Sequence, residues 1–183
     1  MHHRRLPSII ALTVAALLVA VGTANTAWGQ AASIKNVSTF AYVCIEHRGP
    51  LTDMGRVVNE FMQLIQTQKI FPKVKGAMIG VYFNSPDQVK PDELIWEIGY
   101  PVPRGTDVQV PLIKKLWTNK TVAAGLHAGP YAQTGETIKM LMDYMVGQKY
   151  VVDGPVLERY LNNPMQVKPE ELKTEIWIPC RKK

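Results

Sequence analysis

Cysteine is scarce in this chain of 183 residues: there are two, Cys44 and Cys180, beside four histidines. Their spacing fits no zinc site. No glycine-rich loop suits phosphate, and no serine stands in the strand-to-helix turn of a hydrolase nucleophile. No stretch interleaves clustered Lys and Arg with aromatics, so a nucleic-acid face is not expected. No apolar run reaches the roughly 20 residues that span a bilayer comfortably. Neither a metal nor a resident cofactor is therefore expected.

What the chain does have at its start is a targeting pattern. Arg4 and Arg5 form a positive n-region, Ile9 to Val21 is apolar except for Thr13, and Ala27-Trp28-Gly29 offers small residues for cleavage before Gln30. We therefore expect a signal peptide over 1–29, a flexible mature N-terminus over 30–39, and a periplasmic or secreted protein. Contact with a membrane is expected only if that segment is retained. Without Arg4 and Arg5 the formal charge falls from +6 to 6 − 2 = +4, and Arg181, Lys182 and Lys183 form a basic tail over 181–183. The remaining body is nearly neutral and long enough for one domain with one core. Two cysteines in an exported chain admit a disulfide, provided their Cα atoms come within about 7 Å. Two buried thiols are the alternative.

The stretch from Tyr42 to Cys180 is one pattern written twice. Val43-Cys44-Ile45-Glu46-His47-Arg48-Gly49-Pro50 recurs as Ala123-Ala124-Gly125-Leu126-His127-Ala128-Gly129-Pro130, at 127 − 47 = 80 residues. Gln68-Lys69 recurs as Gln148-Lys149 at the same offset. Pro91-Asp92-Glu93-Leu94 recurs as Pro169-Glu170-Glu171-Leu172, at 169 − 91 = 78, so two residues are missing between Lys149 and Gly154. Such a register implies tandem duplication. Two copies predict an α+β domain of pseudo-twofold symmetry over 40–180, with repeat units 40–101 and 121–179.

Each unit reads strand, helix, strand, strand. The strands are predicted at Phe40 to Glu46, Met78 to Phe83 and Leu94 to Tyr100, then at Thr121 to Leu126, Val156 to Leu161 and Lys173 to Ile178. Met54, Val57, Val58, Phe61, Met62 and Ile65 fall at helical spacing and make an apolar stripe, repeated by Ile138, Leu141, Met142 and Met145. This predicts an antiparallel sheet with two helices on one face. Alternation along the strands sends Ile176 and Ile178 toward the helices, and Leu157 and Leu161 with them. The opposite face then carries Tyr82, Glu97, Glu158, Tyr160, Glu175 and Trp177, with Gly80 at the position that maps onto Glu158. Aromatic walls around carboxylates suit planar or cationic organic molecules. The bland alternative is that Glu97 and Glu175 pair with cross-strand Lys or Arg.

Three ordered motifs give the chain a resemblance to the GyrI-like family, also called the AraC-type effector-binding domain. They are Leu126-His127-Ala128-Gly129-Pro130-Tyr131, the run Gly154-Pro155-Val156-Leu157-Glu158-Arg159-Tyr160-Leu161-Asn162-Asn163-Pro164, and Thr174-Glu175-Ile176-Trp177-Ile178-Pro179. The resemblance implies a ligand cleft between the two units, built on a buried glutamate with tyrosine and tryptophan walls. Glu158 and Tyr160 match the family's Glu-x-Tyr motif, and Glu175 its second acidic position. Because the family hosts sensing, sequestration and catalysis, fold does not choose among them. The expectation adopted is an exported protein that captures planar aromatic compounds, cationic ones among them, in a groove between the two repeat units. The first alternative is a hydrolase that opens strained cyclopropane rings of alkylating natural products, with Glu158 or Glu175 as base and Tyr160 as hydrogen-bond donor. The second, by similarity to the SOUL proteins, is haem binding through His47 and His127.

Overall fold

The computed structural model describes residues 32–183; the leader expected over 1–29 lies outside them. The chain runs β1 (Ser33–Asn36), β2 (Phe40–Arg48), α1 (Met54–Thr67), β3 (Met78–Tyr82), β4 (Ile95–Val102), β5 (Ile113–Trp117), β6 (Thr121–Ala128), α2 (Thr134–Gly147), β7 (Tyr150–Val152), β8 (Val156–Tyr160) and β9 (Lys173–Lys182). The strands pair antiparallel in the order β1-β6-β9-β8-β3-β4-β2-β5, and β7 pairs the end of β9. The fold is α+β, and both predicted units are present as β2-α1-β3-β4 and β6-α2-β8-β9.

Two strands were outside the predicted units, and they extend the repeat. Lys35 of β1 and Lys115 of β5 stand 115 − 35 = 80 residues apart, the offset of the first motif. Each precedes its own unit in sequence but pairs with the other: β1 lies on β6, and β5 lies on β2. The segment 30–39, expected to be flexible, thus contains an edge strand. The basic tail is likewise not free, because Arg181 and Lys182 belong to β9 and pair with Val151 and Tyr150.

The repeated Gly-Pro pairs have a backbone cause. Gly49 and Gly129 sit at φ of 152° and 131°, which disfavours a side chain. Their N–H groups donate to Leu94 and Leu172 carbonyls, both at 2.9 Å, tying each first strand to the start of its unit's last. The repeated Gln-Lys pairs end the helices, with Lys69 and Lys149 at φ of 54° and 62°. After α1, Ile70 N–H reaches the Ile65 carbonyl and Lys69 N–H the Gln66 carbonyl, a Schellman closure.

The α1 stripe buries Val57, Phe61 and Ile65 against Val43, Ile45, Trp96 and Ile98. Full burial of each large apolar side chain contributes about 1.5–3 kcal/mol. The α2 stripe buries Leu141 and Met145 against Ala123, Ile176 and Ile178, while Met142 is exposed and Thr137 is buried in its stead. Both helices cover the same face. The other face is also buried: Tyr42, Cys44, Ile79, Val81, Trp117, Val122, Ala124, Leu157 and Trp177 form one apolar cluster. Its members come from opposite ends of the strand order, so the sheet curls until its helix-free face closes on itself. Cys44 lies in that cluster and Cys180 in the α2 core, and both thiols are free.

Candidate functional site

The two helices contact different strands of the sheet. Helix α1 packs on β2 and β4, and α2 on β6, β7 and β9, so β3 and β8 run between them. Cross-strand register places Ile98, Gly80, Glu158 and Ile176 in one row. Ile98 and Ile176 belong to the two helix-side cores, so Gly80 and Glu158 face the helices too. Tyr82 and Tyr160, two residues along, share that face.

This corrects the alternation argument for Gly80, Tyr82, Glu158 and Tyr160, which it placed on the helix-free face. The phase of β8 rests there on Leu157 and Leu161 pointing to the helices, which leaves Glu158 and Tyr160 to the opposite face. Neither face is solvated: Leu157 fills the helix-free core and Glu158 is 5% exposed between the helices. Glu97, Glu175 and Trp177 do lie on the helix-free face, as expected, and so do not join the other four.

Around Glu158 the polar atoms form a chain. Tyr160 Oη donates to Glu158 Oε2 at 3.1 Å, and Tyr82 Oη lies 2.7 Å from Tyr160 Oη. With the Tyr160 proton directed at the carboxylate, Tyr82 is the donor to Tyr160. Thr134, the first residue of α2, stands beside Glu158 and donates its hydroxyl to the Tyr131 carbonyl at 3.0 Å. Gly80 makes room for this arrangement, since a Cβ there would stand 2.6 Å from Tyr160 Oη and 2.9 Å from Tyr82 Oη. Tyr131 packs edge-on against Tyr160, ring centroids 5.2 Å apart. Burial pushes the Glu158 carboxyl above its ordinary value, and the hydroxyls of Thr134, Tyr160 and Tyr82 offset this only in part. Burial also raises Tyr82 and Tyr160, aided by the neighbouring Glu158 charge.

The other two acids of the predicted set, Glu97 and the half-buried Glu175, have cations. Glu97, fully buried, is bridged by Lys115 and accepts from Tyr42 Oη at 2.9 Å. Glu175 is bridged by Lys35 at 2.5 Å and by Arg159, and the same two cations stand 5.2 and 5.0 Å from the Trp177 ring centroid. Burial raises the Glu175 carboxyl, but the Lys35 hydrogen bond and the Lys35 and Arg159 charges outweigh it, and the net shift is downward. These two acids therefore follow the ion-pair alternative, through lysines from the exchanged strands β1 and β5. Among the described residues, no cation lies within ion-pair distance of Glu158.

Residues 30–181 match the GyrI-like small molecule binding domain. The chain belongs to that family. Its fold is shared with the C-terminal domain of EcmrR (TM-score 0.72, 15% identity, 84% of this chain and 99% of that one). It is also shared with a hydrolase encoded by lin2189 of Listeria innocua (TM-score 0.65, 13% identity, 83% and 92%). A third similar structure is SAV2435 bound to tetraphenylphosphonium (TM-score 0.55, 12% identity, 82% and 94%). In an EcmrR–DNA complex the likeness spans only 58% of the EcmrR chain. No curated protein sequence matches the chain.

Within this GyrI-like domain the histidines are structural. His127 is 3% exposed, and its Nε2 lies 3.1 Å from the Pro130 carbonyl while Nδ1 lies 3.0 Å from Thr137 Oγ1. A carbonyl only accepts, so Nε2 donates to it, and Nδ1 is hydrogen-bonded to the Thr137 hydroxyl. His47 Nε2 is bonded to Asp53 at 2.9 Å. With these nitrogens engaged, the geometry does not support the haem reading. Sequence reasoning missed Thr134 and, as a site residue, Tyr131, and it did not single out Lys35 and Lys115 as the partners of Glu175 and Glu97. Tyr131 had a signal in its place directly after the repeated Gly-Pro.

Proposed function

We propose that this GyrI-like domain works as an exported protein that captures planar aromatic cations between its two helices, with Glu158 as the anionic floor. The observation that carries the reading is that, among the described residues, Glu158 is a buried acid with no cation at ion-pair distance, whereas Glu97 and Glu175 each have one. A bound organic cation would supply the missing charge, and the Tyr82, Tyr131 and Tyr160 rings would supply stacking and cation–π contacts. In the closed arrangement the two tyrosine hydroxyls meet over Gly80, so entry of a ligand separates them. Tetraphenylphosphonium, the cation bound by SAV2435, probes the aromatic and cationic part of this reading, although its four rings are set tetrahedrally and not in one plane. Export rests on the N-terminal pattern alone, and N-terminal sequencing of the fractionated protein tests it: an intact Met1 in a cytoplasmic fraction would remove it.

The test of the site is calorimetry with tetraphenylphosphonium and with a neutral compound of similar shape. Glu158→Gln keeps size and removes charge, and should weaken cation binding by about 1.5–3 kcal/mol, as for a hydrogen bond to a charged group. The neutral compound should be nearly unaffected. Equal loss for both would show that charge recognition is the wrong account of Glu158. Because a raised carboxyl beside Tyr160 also has general-acid chemistry, mass spectrometry of the recovered ligand accompanies the titration. A hydrolysed product would replace capture with turnover.

A further inference from the structure

The two units differ most at one end of the molecule. Strand β9 runs two residues past the position equivalent to the end of β4, and its extension pairs with β7. In unit one the place of β7 is taken by a short 3-10 turn, Phe71–Lys73. The extension is therefore not required by the pseudo-twofold fold. Two open clefts of about 510 and 400 Å3 flank it, both lined by Tyr150. Lys120, Arg181 and Lys182 line the first, and Lys149 and Lys183 the second, all five exposed. The lining contains one acid, Asp153, and Arg181 already pairs with it at 3.3 Å. Among these charges stand two apolar side chains open to solvent, Val146 at 75% and Val152 at 49% exposure.

We propose that this end docks on a bilayer surface that carries anionic phospholipid. The shared chemistry is a phosphate-bearing anion, and the apolar residues select its source. A purely polyanionic partner gains nothing from exposed Val146 and Val152, whereas the boundary between headgroups and acyl chains takes apolar side chains beside cations. Tyr150 has the form that such boundaries favour, an apolar ring with a polar tip. Lysines at the rim reach phosphates while their stems lie along apolar surface. The assignment does not depend on the Glu158 site, which lies on β8 between the helices.

The test is vesicle co-sedimentation of the full chain with phosphatidylglycerol-containing and pure phosphatidylcholine vesicles. The charge-reversed variant Lys149→Glu, Lys182→Glu, Lys183→Glu carries the same N-terminal apolar segment, so any difference from the parent reports on this surface. The parent should prefer the anionic vesicles, and the variant should lose that preference on the order of 100-fold, judged from the attraction of each cation near an anionic leaflet. A second variant, Val146→Ser with Val152→Ser, should lower vesicle binding while leaving retention on a soluble polyanion unchanged. Equal binding of the parent to both vesicle types would overturn the proposal. So would full competition by millimolar inorganic phosphate, which would mark a small-anion site. An inert valine pair would mean that the surface reads charge alone, and the bilayer assignment would fall. Unchanged thermal melting of both variants is the control for folding.

Discussion

Gly80 and Glu158 are opposite residues of the β3–β8 pair, and each holds in its unit the position that the other holds in the second. The pseudo-twofold axis therefore passes between them. Two glutamates there would set like charges directly opposite on neighbouring strands, which is destabilising. Glycine on one side leaves one acid on the axis and opens the space in which the equivalent tyrosines, Tyr82 and Tyr160, bring their hydroxyls together. The duplication supplies a symmetric frame, and one substitution gives it a single charged centre.

Adding a methyl group at that point should therefore be costly. In Gly80→Ala the new Cβ would meet both hydroxyls at under 3 Å, 2.6 and 2.9 Å, and force Tyr82 and Tyr160 apart. Overpacking combined with the lost hydrogen bond should destabilise the protein by about 1–3 kcal/mol. Urea denaturation reads this directly, and parental stability would mean that the tyrosines move aside without penalty.

Glu158 and Glu175 should give stability opposite dependences on pH. Glu158 is raised from an ordinary 4.5, so between that value and its folded pKa the native state holds more protons than the unfolded one. Its contribution is complete below the ordinary value and is lost as pH rises through the folded pKa. Glu175 is lowered from 4.5, so its contribution is present above that value and is lost as pH falls through the folded pKa. Glu158→Gln should then remove a decline in stability above pH 4.5, and Glu175→Gln an acid-side loss below it. Melting temperatures across pH 3–8 for both variants check the signs, and a steeper decline in Glu158→Gln would contradict the burial argument.

Lys35 and Lys115 occupy equivalent positions on the exchanged strands, yet their loss should not cost the same. Lys115→Met leaves the fully buried Glu97 with Tyr42 as its remaining partner, and should cost about 3 kcal/mol. Lys35→Met leaves Glu175 paired with Arg159 at a partly exposed site, and should cost about 0–1 kcal/mol. Replacing Glu97 by Leu together with Lys115→Met should recover much of the loss, because no buried charge then remains. Equal costs for the two lysine variants would refute the distinction.

At the end of α1, Lys69 holds a left-handed conformation at a φ of 54°. Glycine has no penalty there, so Lys69→Gly should stabilise by about 0.5–1 kcal/mol. A lower denaturation midpoint would show that the Lys69 side chain contributes more than its backbone strain costs.

Much of this architecture was legible because duplication leaves a register. The offset of 80 placed His47 beside His127, each at the end of a first strand, and helical spacing identified Val57, Phe61 and Ile65 as core. Strands β1 and β5 were harder: they carry few residues, and their pairing with the opposite unit depends on contacts far apart in sequence. The buried Thr137 was also hidden, since a threonine among apolar residues reads as surface until its His127 partner is known.

The sequence by itself determined the two units, the buried face of α1, the matched pairs Gln68-Lys69 and Gln148-Lys149, and the family signature around Glu158. Only the tertiary structure decided which face each strand residue occupies. Alternation gives a period but not a phase, and the phase is usually taken from the contrast between core and water. The curled sheet removes that contrast by burying both faces, so Leu157 and Glu158 are both inside, and register with Trp177 and Ile176 settles where each one points.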